Sequence, residues 1–221
     1  MELKRIAVLH SPFPEKFGIP RQSGLTENIS EIVFESQFRD GQALRGIEEF
    51  DRLWLIWGFP ESNRSRSATV RPPRLGGNRR MGVFATRSPF RPNPIGLSSV
   101  GLVGVYKKDG AGTVLRVTGA DMLDGTEIYD IKPYLAYTDA YPAAAGGFAE
   151  RARDYSLKVD EQGCALPEGL RDELLSVLSQ DPRPAYQDDP GRVYGMKYAN
   201  LEIKFTVADG VLTVQSVEED L

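Results

Sequence analysis

Apolar and polar positions alternate over residues 29–38. Ile32, Phe34 and Phe38 fall on one face and Glu31, Val33 and Glu35 on the other, the period of a half-buried strand. Residues 4–9 alternate in the same way. Residues 53–59 (Leu53-Trp54-Leu55-Ile56-Trp57-Gly58-Phe59) form an unbroken apolar run, the length of a buried strand, and Pro60 stops it. Residues 81–86, 97–107 and 114–117 read as further strands, the last two joined as a hairpin across Asp109-Gly110-Ala111-Gly112. Residues 128–135 add another, interrupted by Pro133, and Leu44, Ile47 and Phe50 at helical spacing predict a short helix over 43–50. About seven strands with hardly any helix before Pro142 predict a closed or nearly closed β-barrel, which hides its edges.

The pattern then changes. Residues 143–150 (Ala-Ala-Ala-Gly-Gly-Phe-Ala-Glu) read as a linker, dividing residues 1–145 from 146–221. Leu170, Leu174, Leu175 and Leu178 lie on one face of a predicted helix over 167–180, which Asp181-Pro182-Arg183-Pro184 ends. Residues 198–207 and 211–217 read as a hairpin across Ala208-Asp209-Gly210, so the second domain is small and α+β. The chain is mainly β, with this smaller unit following the barrel.

One loop stands out. Residues 81–97 read Met-Gly-Val-Phe-Ala-Thr-Arg-Ser-Pro-Phe-Arg-Pro-Asn-Pro-Ile-Gly-Leu. Pro89, Pro92 and Pro94 fix their own φ and hold Ser88, Arg91 and Asn93 extended. A stiff loop presenting Arg87, Arg91 and Asn93 suits a preorganised ligand cradle, because little loop entropy is left to lose on binding. A plain proline-rich turn between strands is the other reading.

Charge sharpens the picture. The formal net charge is −4, yet no Asp or Glu occurs between Ser62 and Lys108. That span holds Arg64, Arg66, Arg71, Arg74, Arg79, Arg80, Arg87, Arg91, Lys107 and Lys108. A segregated basic field suits a docking polyanion such as RNA; a solvated arginine face with distant carboxylate partners is the alternative. One histidine (His10) and one cysteine (Cys164) leave no His/Cys metal site, so no metal is expected, and no internal disulfide. A Ser-His-Asp triad would have to use His10, which at the end of a strand reads as structural or surface. No window approaches the 18 or so apolar residues of a membrane span, and the first residues lack a signal-peptide core. Together with the lone cysteine this predicts a cytoplasmic protein without membrane contact. A doubly wound nucleotide-binding sheet is not indicated, because Gly110-Ala111-Gly112, the nearest glycine-rich turn, sits inside a hairpin.

Long ordered motifs remain: Ser11-Pro12-Phe13, Lys16-Phe17-Gly18-Ile19-Pro20-Arg21-Gln22, Gly46-Ile47-Glu48-Glu49-Phe50 and Leu53-Trp54-Leu55. They continue with Val70-Arg71-Pro72-Pro73-Arg74-Leu75-Gly76-Gly77-Asn78, Ala85-Thr86-Arg87-Ser88 and Phe90-Arg91-Pro92-Asn93-Pro94-Ile95-Gly96. Last come Leu123-Asp124-Gly125-Thr126, Asp130-Ile131-Lys132-Pro133-Tyr134 and Gln180-Asp181-Pro182-Arg183-Pro184-Ala185-Tyr186. Over nearly its whole length the chain resembles the TrmO/TsaA-like proteins. These are S-adenosylmethionine-dependent tRNA methyltransferases that act on N6 of threonylcarbamoyladenosine at position 37, and their cofactor domain is a β-barrel.

The resemblance implies a cofactor site formed by Pro20, Arg21 and Gln22, by Pro60 and Glu61, by Arg87 and Leu97, and by Asp124, Gly125 and Thr126. It implies a homodimer with the cofactor near the subunit interface and a tRNA anticodon loop as partner, whose phosphates the basic tract is then expected to contact through Arg64, Arg66, Arg71, Arg74, Arg79, Arg80 and Arg91. Tyr186 offers either a stacking surface or packing. Where the family commonly places His-Gln, this chain has Pro60-Glu61, so any side-chain role of that histidine is lost. Deprotonating a ureido nitrogen needs a base, for which Asp121, Asp124, Glu127, Asp139 and solvent are all open; Asp124 and Asp121 are the leading candidates. The alternative is a cofactor- or nucleotide-binding RNA-interaction protein with no methyl acceptor or a different one.

Overall fold

Up to Pro133 the chain forms β1 (Ala7–His10), β2 (Ile29–Phe34), β3 (Arg52–Gly58), β4 (Thr69–Val70), β5 (Met81–Gly82), β6 (Ile95–Lys108), β7 (Gly112–Thr118) and β8 (Thr126–Pro133). A computed structural model describes residues 2–59, 67–72, 79–150, 156–161, 163–184, 187 and 189–219. Six of these strands pair antiparallel in the order β1-β2-β7-β6-β3-β8, and β8 pairs back onto β1, so the ring closes. Closure gives every ring strand a partner on each side. Inward positions follow the two-residue period: Leu53, Leu55 and Trp57 of β3 meet Leu9, Ile32, Val100, Leu115, Val117 and Ile128 in one buried core. The apolar run of β3 is unbroken because its outer face is covered too: Trp54 packs on Tyr134, with ring centroids 5.5 Å apart.

Local expectations are corrected at several points: the strand over 29–38 ends at Phe34, with a 3-10 turn at Ser36–Phe38, and two others change further. The helix over 43–50 is instead two 3-10 turns, Gln42–Leu44 and Ile47–Glu49, each entered through a glycine at positive φ (Gly41 and Gly46, both 86°). The helical spacing of Leu44 and Ile47 is real, but those glycines break the segment into single turns. The strand over 81–86 is two residues long and gives way to a 3-10 turn, Val83–Ala85.

The remainder holds α1 (Ala136–Asp139), β9 (Lys158–Asp160), α2 (Arg171–Leu178), β10 (Tyr194–Tyr198), β11 (Leu201–Ala208) and β12 (Val211–Glu219). A second sheet has the order β10-β11-β12-β9, with β9 parallel to β12. The β11–β12 turn uses Asp209 (φ 51°) and Gly210 (φ 76°), the left-handed pair of a tight hairpin. Tyr198 belongs to β10, not to the hairpin, which starts at Leu201. Leu174, Val177 and Leu178 of α2 bury against Met196, Ile203, Phe205, Leu212 and Val214, and Phe13 from the loop after β1 is buried in this same core.

Candidate active site

Strand direction gathers the candidate residues. Because all ring pairs are antiparallel, the ends of β1, β3 and β7 and the starts of β2, β6 and β8 share one rim. The three loops leaving that rim are residues 11–28, 59–94 and 119–125. They carry Pro20, Arg21, Gln22, Arg87, Arg91, Asp121, Asp124 and Gly125, while Leu97 and Thr126 open the strands beside them.

A cluster forms inside the rim. β6 runs past the end of β7: Gly101 pairs with Thr118, but residues 95–100 have only β3 beside them in the ladder. The loop after β1 fills this free edge, and Ser99 N–H donates to Ser23 Oγ at 3.1 Å. Ser98, one residue earlier, points inward and is buried. Its Oγ accepts from Trp57 Nε1 at 3.0 Å and donates to Asp121 Oδ1 at 2.6 Å. The Trp57 ring lies directly over Gly96, where a Cβ would come within 2.1 Å of it. Burial pushes the Asp121 carboxyl above its usual range, partly offset by the Ser98 hydroxyl, by main-chain N–H groups including that of Ser23, and by the Arg87 guanidinium. Arg87 Nη1 in turn donates to Gln22 Oε1, and Gln22 Nε2 to the main-chain carbonyl of Arg21.

So Gln22, Arg87 and Asp121 come together. Pro20 is buried in the loop beside them. Arg21 turns its guanidinium to the carbonyls of Asp181 (3.4 Å) and Arg183 (3.3 Å). Asp124 Oδ1 accepts from Ser11 N–H at 3.1 Å and lies 3.3 Å from His10 Nδ1, so it braces the corner after β1. Gly125 has φ 78° with open space where a Cβ would be, and buried Thr126 donates to Leu123 O at 2.6 Å. Leu97 is 57% exposed on the outer face of β6, opposite Ser98, and Ile95 and Phe90 are exposed near it in sequence. Arg71, Arg79 and Arg80 are exposed, and Arg91 Nη1 donates to Thr86 O. Pro60, Glu61, Arg64, Arg66, Arg74 and Tyr186 lie outside the described residues.

The other carboxylates are engaged. Asp139 Oδ2 accepts from Trp54 Nε1 and Leu135 N–H, both at 2.9 Å, and these bonds hold its carboxyl below the usual range. Glu127 takes Arg5 and the Tyr129 hydroxyl. Among these candidates Asp121 is therefore the carboxylate in the rim whose proton affinity is raised by burial. Sequence reasoning missed Ser98 and Trp57; the available signal was a serine at an inward position of an otherwise Val- and Gly-rich strand.

Family models for the tRNA-methyltransferase O N-terminal domain and the TrmO C-terminal domain match residues 8–140 and 149–220. The chain belongs to the TrmO family. It is 38% identical to the tRNA (adenine(37)-N6)-methyltransferase of Escherichia coli K12, with 98% of this chain and 97% of the relative covered. It is 50% identical to the protein of that name from Eikenella corrodens, over 76% of this chain and 97% of the relative. The crystal structure of TrmO from Pseudomonas aeruginosa superposes with a TM-score of 0.77 at 31% identity, covering 99% of this chain and 98% of that one. Like other TrmO-family members, the chain is a methyltransferase.

Proposed function

We propose that this S-adenosylmethionine-dependent methyltransferase methylates N6 of adenosine 37 in tRNA, and that the base it accepts is threonylcarbamoyladenosine. The observation that carries the reading is the convergence of Arg87, Gln22 and Asp121 at one rim. We read residues 1–145 as the donor-binding barrel, residues 146–221 as the appended domain, and the enzyme as a cytoplasmic homodimer with Ile95, Leu97 and Phe90 supplying apolar contact area.

The residues present fit the donor. Arg87, braced by Gln22, offers a guanidinium for its carboxylate. Asp124 and the main chain around Gly125 offer acceptors and donors for its amino and ribose groups. When bound, the donor supplies a methyl group on a positively charged sulphur. The chain's work is then alignment and proton removal. The N6 lone pair is delocalised into the ureido carbonyl, so Asp121, through Oδ2, the oxygen Ser98 leaves to it, takes the N6 proton as the new bond forms. Ser98 holds that carboxylate in one orientation, and Trp57 holds Ser98. An anticodon-loop base is unpaired and splays out at modest cost, while Arg71, Arg79 and Arg80 face phosphates.

Binding of the donor without methyl transfer is the second reading, and it rests on Pro60 standing where the family has a histidine. Nucleoside mass spectrometry of tRNA from cells lacking the protein separates the two. Loss of the methylated threonylcarbamoyladenosine, restored by the wild-type gene and not by Asp121→Asn, is the expected result; an unchanged nucleoside profile would sink the proposal.

A further inference from the structure

The loop that carries Pro20, Arg21 and Gln22 is built into the other half of the molecule. Phe13 meets Tyr198 edge-on, with ring centroids 5.4 Å apart, and Ala199 N–H donates to Pro12 O at 2.7 Å. Gly18, at φ 91°, sits where a Cβ would come within 2.5 Å of Met196 Sδ. At the far end of the loop, Glu27 N–H donates to Ser176 Oγ at 2.9 Å and Ile29 N–H to Glu173 Oε2 at 2.8 Å. Between these anchors, Arg21 Nη2 reaches the carbonyls of both Asp181 and Arg183.

Those two carbonyls are themselves fixed. Asp181 adopts φ 49°, an unusual conformation for a residue with a side chain. Arg183 holds it there in a fork, Nε to Oδ1 at 2.9 Å and Nη2 to Oδ2 at 3.0 Å, and both side chains are about nine-tenths buried. From this turn a chain of bonds runs outward. Arg21 bonds to the turn through its guanidinium, its carbonyl accepts from Gln22 Nε2, and Gln22 Oε1 accepts from Arg87 Nη1. Gln22 and Arg87 would otherwise each sample many rotamers, and holding them before the ligand arrives removes that cost from binding.

We infer that Arg21 is a positioning residue: its guanidinium latches the cofactor loop to the Asp181–Arg183 turn of the second domain, and the latch fixes Gln22 and Arg87 for the donor's carboxylate. The inference rests on the reading of Arg87 as the carboxylate anchor. It assigns the arginine of the Pro20-Arg21-Gln22 motif to the protein's own main chain, with the ligand served indirectly.

A path through bonded residues is established only by measured coupling, so the test is a double-mutant cycle in the full-length protein. S-adenosylmethionine affinity is measured by calorimetry without RNA for Arg21→Ala, Asp181→Ala and the double variant. Each single change should weaken affinity about tenfold, the scale of a lost hydrogen bond to a charged group, and the double variant no more than the worse single one. Additive losses, or wild-type affinity in Asp181→Ala, would overturn the latch and make Arg21 a direct ligand contact. Arg183→Lys keeps the charge but loses the fork; it should move affinity in the same direction. A donor-free readout separates the latch from the reading beneath it. Amide hydrogen exchange of residues 21–24 should accelerate in Asp181→Ala whether or not wild type binds donor, and unchanged exchange would also overturn the proposal. A wild-type protein that fails to bind S-adenosylmethionine would remove Arg87 as anchor while leaving that exchange result to decide the latch.

Discussion

Ser98 can donate only to Asp121. The indole of Trp57 is a donor without a lone pair to share, so the Ser98 hydroxyl must accept from it at 3.0 Å and send its own proton to Asp121 Oδ1 at 2.6 Å. A buried hydroxyl thus orients the carboxylate next to it and lowers a proton affinity that burial raises.

Removing the hydroxyl should be visible in a pH profile. A donor to a carboxylate favours its ionised form, so Ser98→Ala should raise the Asp121 pKa further above normal. Less of the base form is then present at a given pH. The acid limb of kcat against pH should move to higher pH, with the plateau rate at alkaline pH largely recovered. A limb that stays in place would remove Asp121 as the titrating base.

Asp121→Asn should separate activity from stability. With its pKa raised in the fold, the carboxyl binds more protons native than unfolded, so it lowers stability as pH rises through the window between its unfolded and folded pKa. The asparagine has no such cost. The variant should lose methyl transfer yet melt higher than wild type above that window, with the difference vanishing in acid. Thermal melts at several pH values check the sign.

Gly96→Ala should strike at the support of the same cluster. The added methyl would sit 2.1 Å from Trp57 Cε2, and the ring cannot retreat through a filled core. Overpacking of this kind costs about 1–3 kcal/mol, read as a shift in the urea midpoint. Shifting Trp57 also disturbs Ser98, so kcat should fall more than donor affinity does.

The exposed arginines should appear in the salt dependence. Methylation efficiency should fall steeply as salt rises, and Arg79→Ala with Arg80→Ala should flatten the log–log slope by about 0.7–0.9 for each phosphate no longer neutralised. An unchanged slope would mean that these side chains neutralise no phosphate.

Leu97→Asp tests the outer face of β6. Its side chain is 57% exposed, on the opposite side of the strand from Ser98. If this face meets a second copy, the carboxylate should turn the dimer into a monomer by light scattering, with the melting temperature of the monomer preserved.

The strands of the ring were readable because each presents two-residue alternation or an unbroken apolar run. β3 and β6 appear close to where the pattern puts them, β6 gaining Ile95 and Gly96 at its start and Lys108 at its end. β9 was not legible: three residues pairing in parallel with a distant strand leave no local period. The site divides the same way. Arg87 and Gln22 announce themselves in motifs, whereas the Ser98–Asp121 bond joins residues 23 apart whose meeting depends on β6 and the loop after β7 sharing a rim. Arg21 shows the limit of a motif: its place was predictable, but the direction of its side chain depended on a turn 160 residues away.

All three loops of proposed chemical consequence leave the ring on one side, and the tight turn at Gly110 leaves it on the other. Every antiparallel crossing of the wall therefore separates that rim from the one where residues 35–51 and the Gly110 turn connect the strands. A fluorophore or surface tether placed beside Gly110 would leave the barrel at the rim opposite Arg87 and Asp121, a practical handle that the strand directions provide.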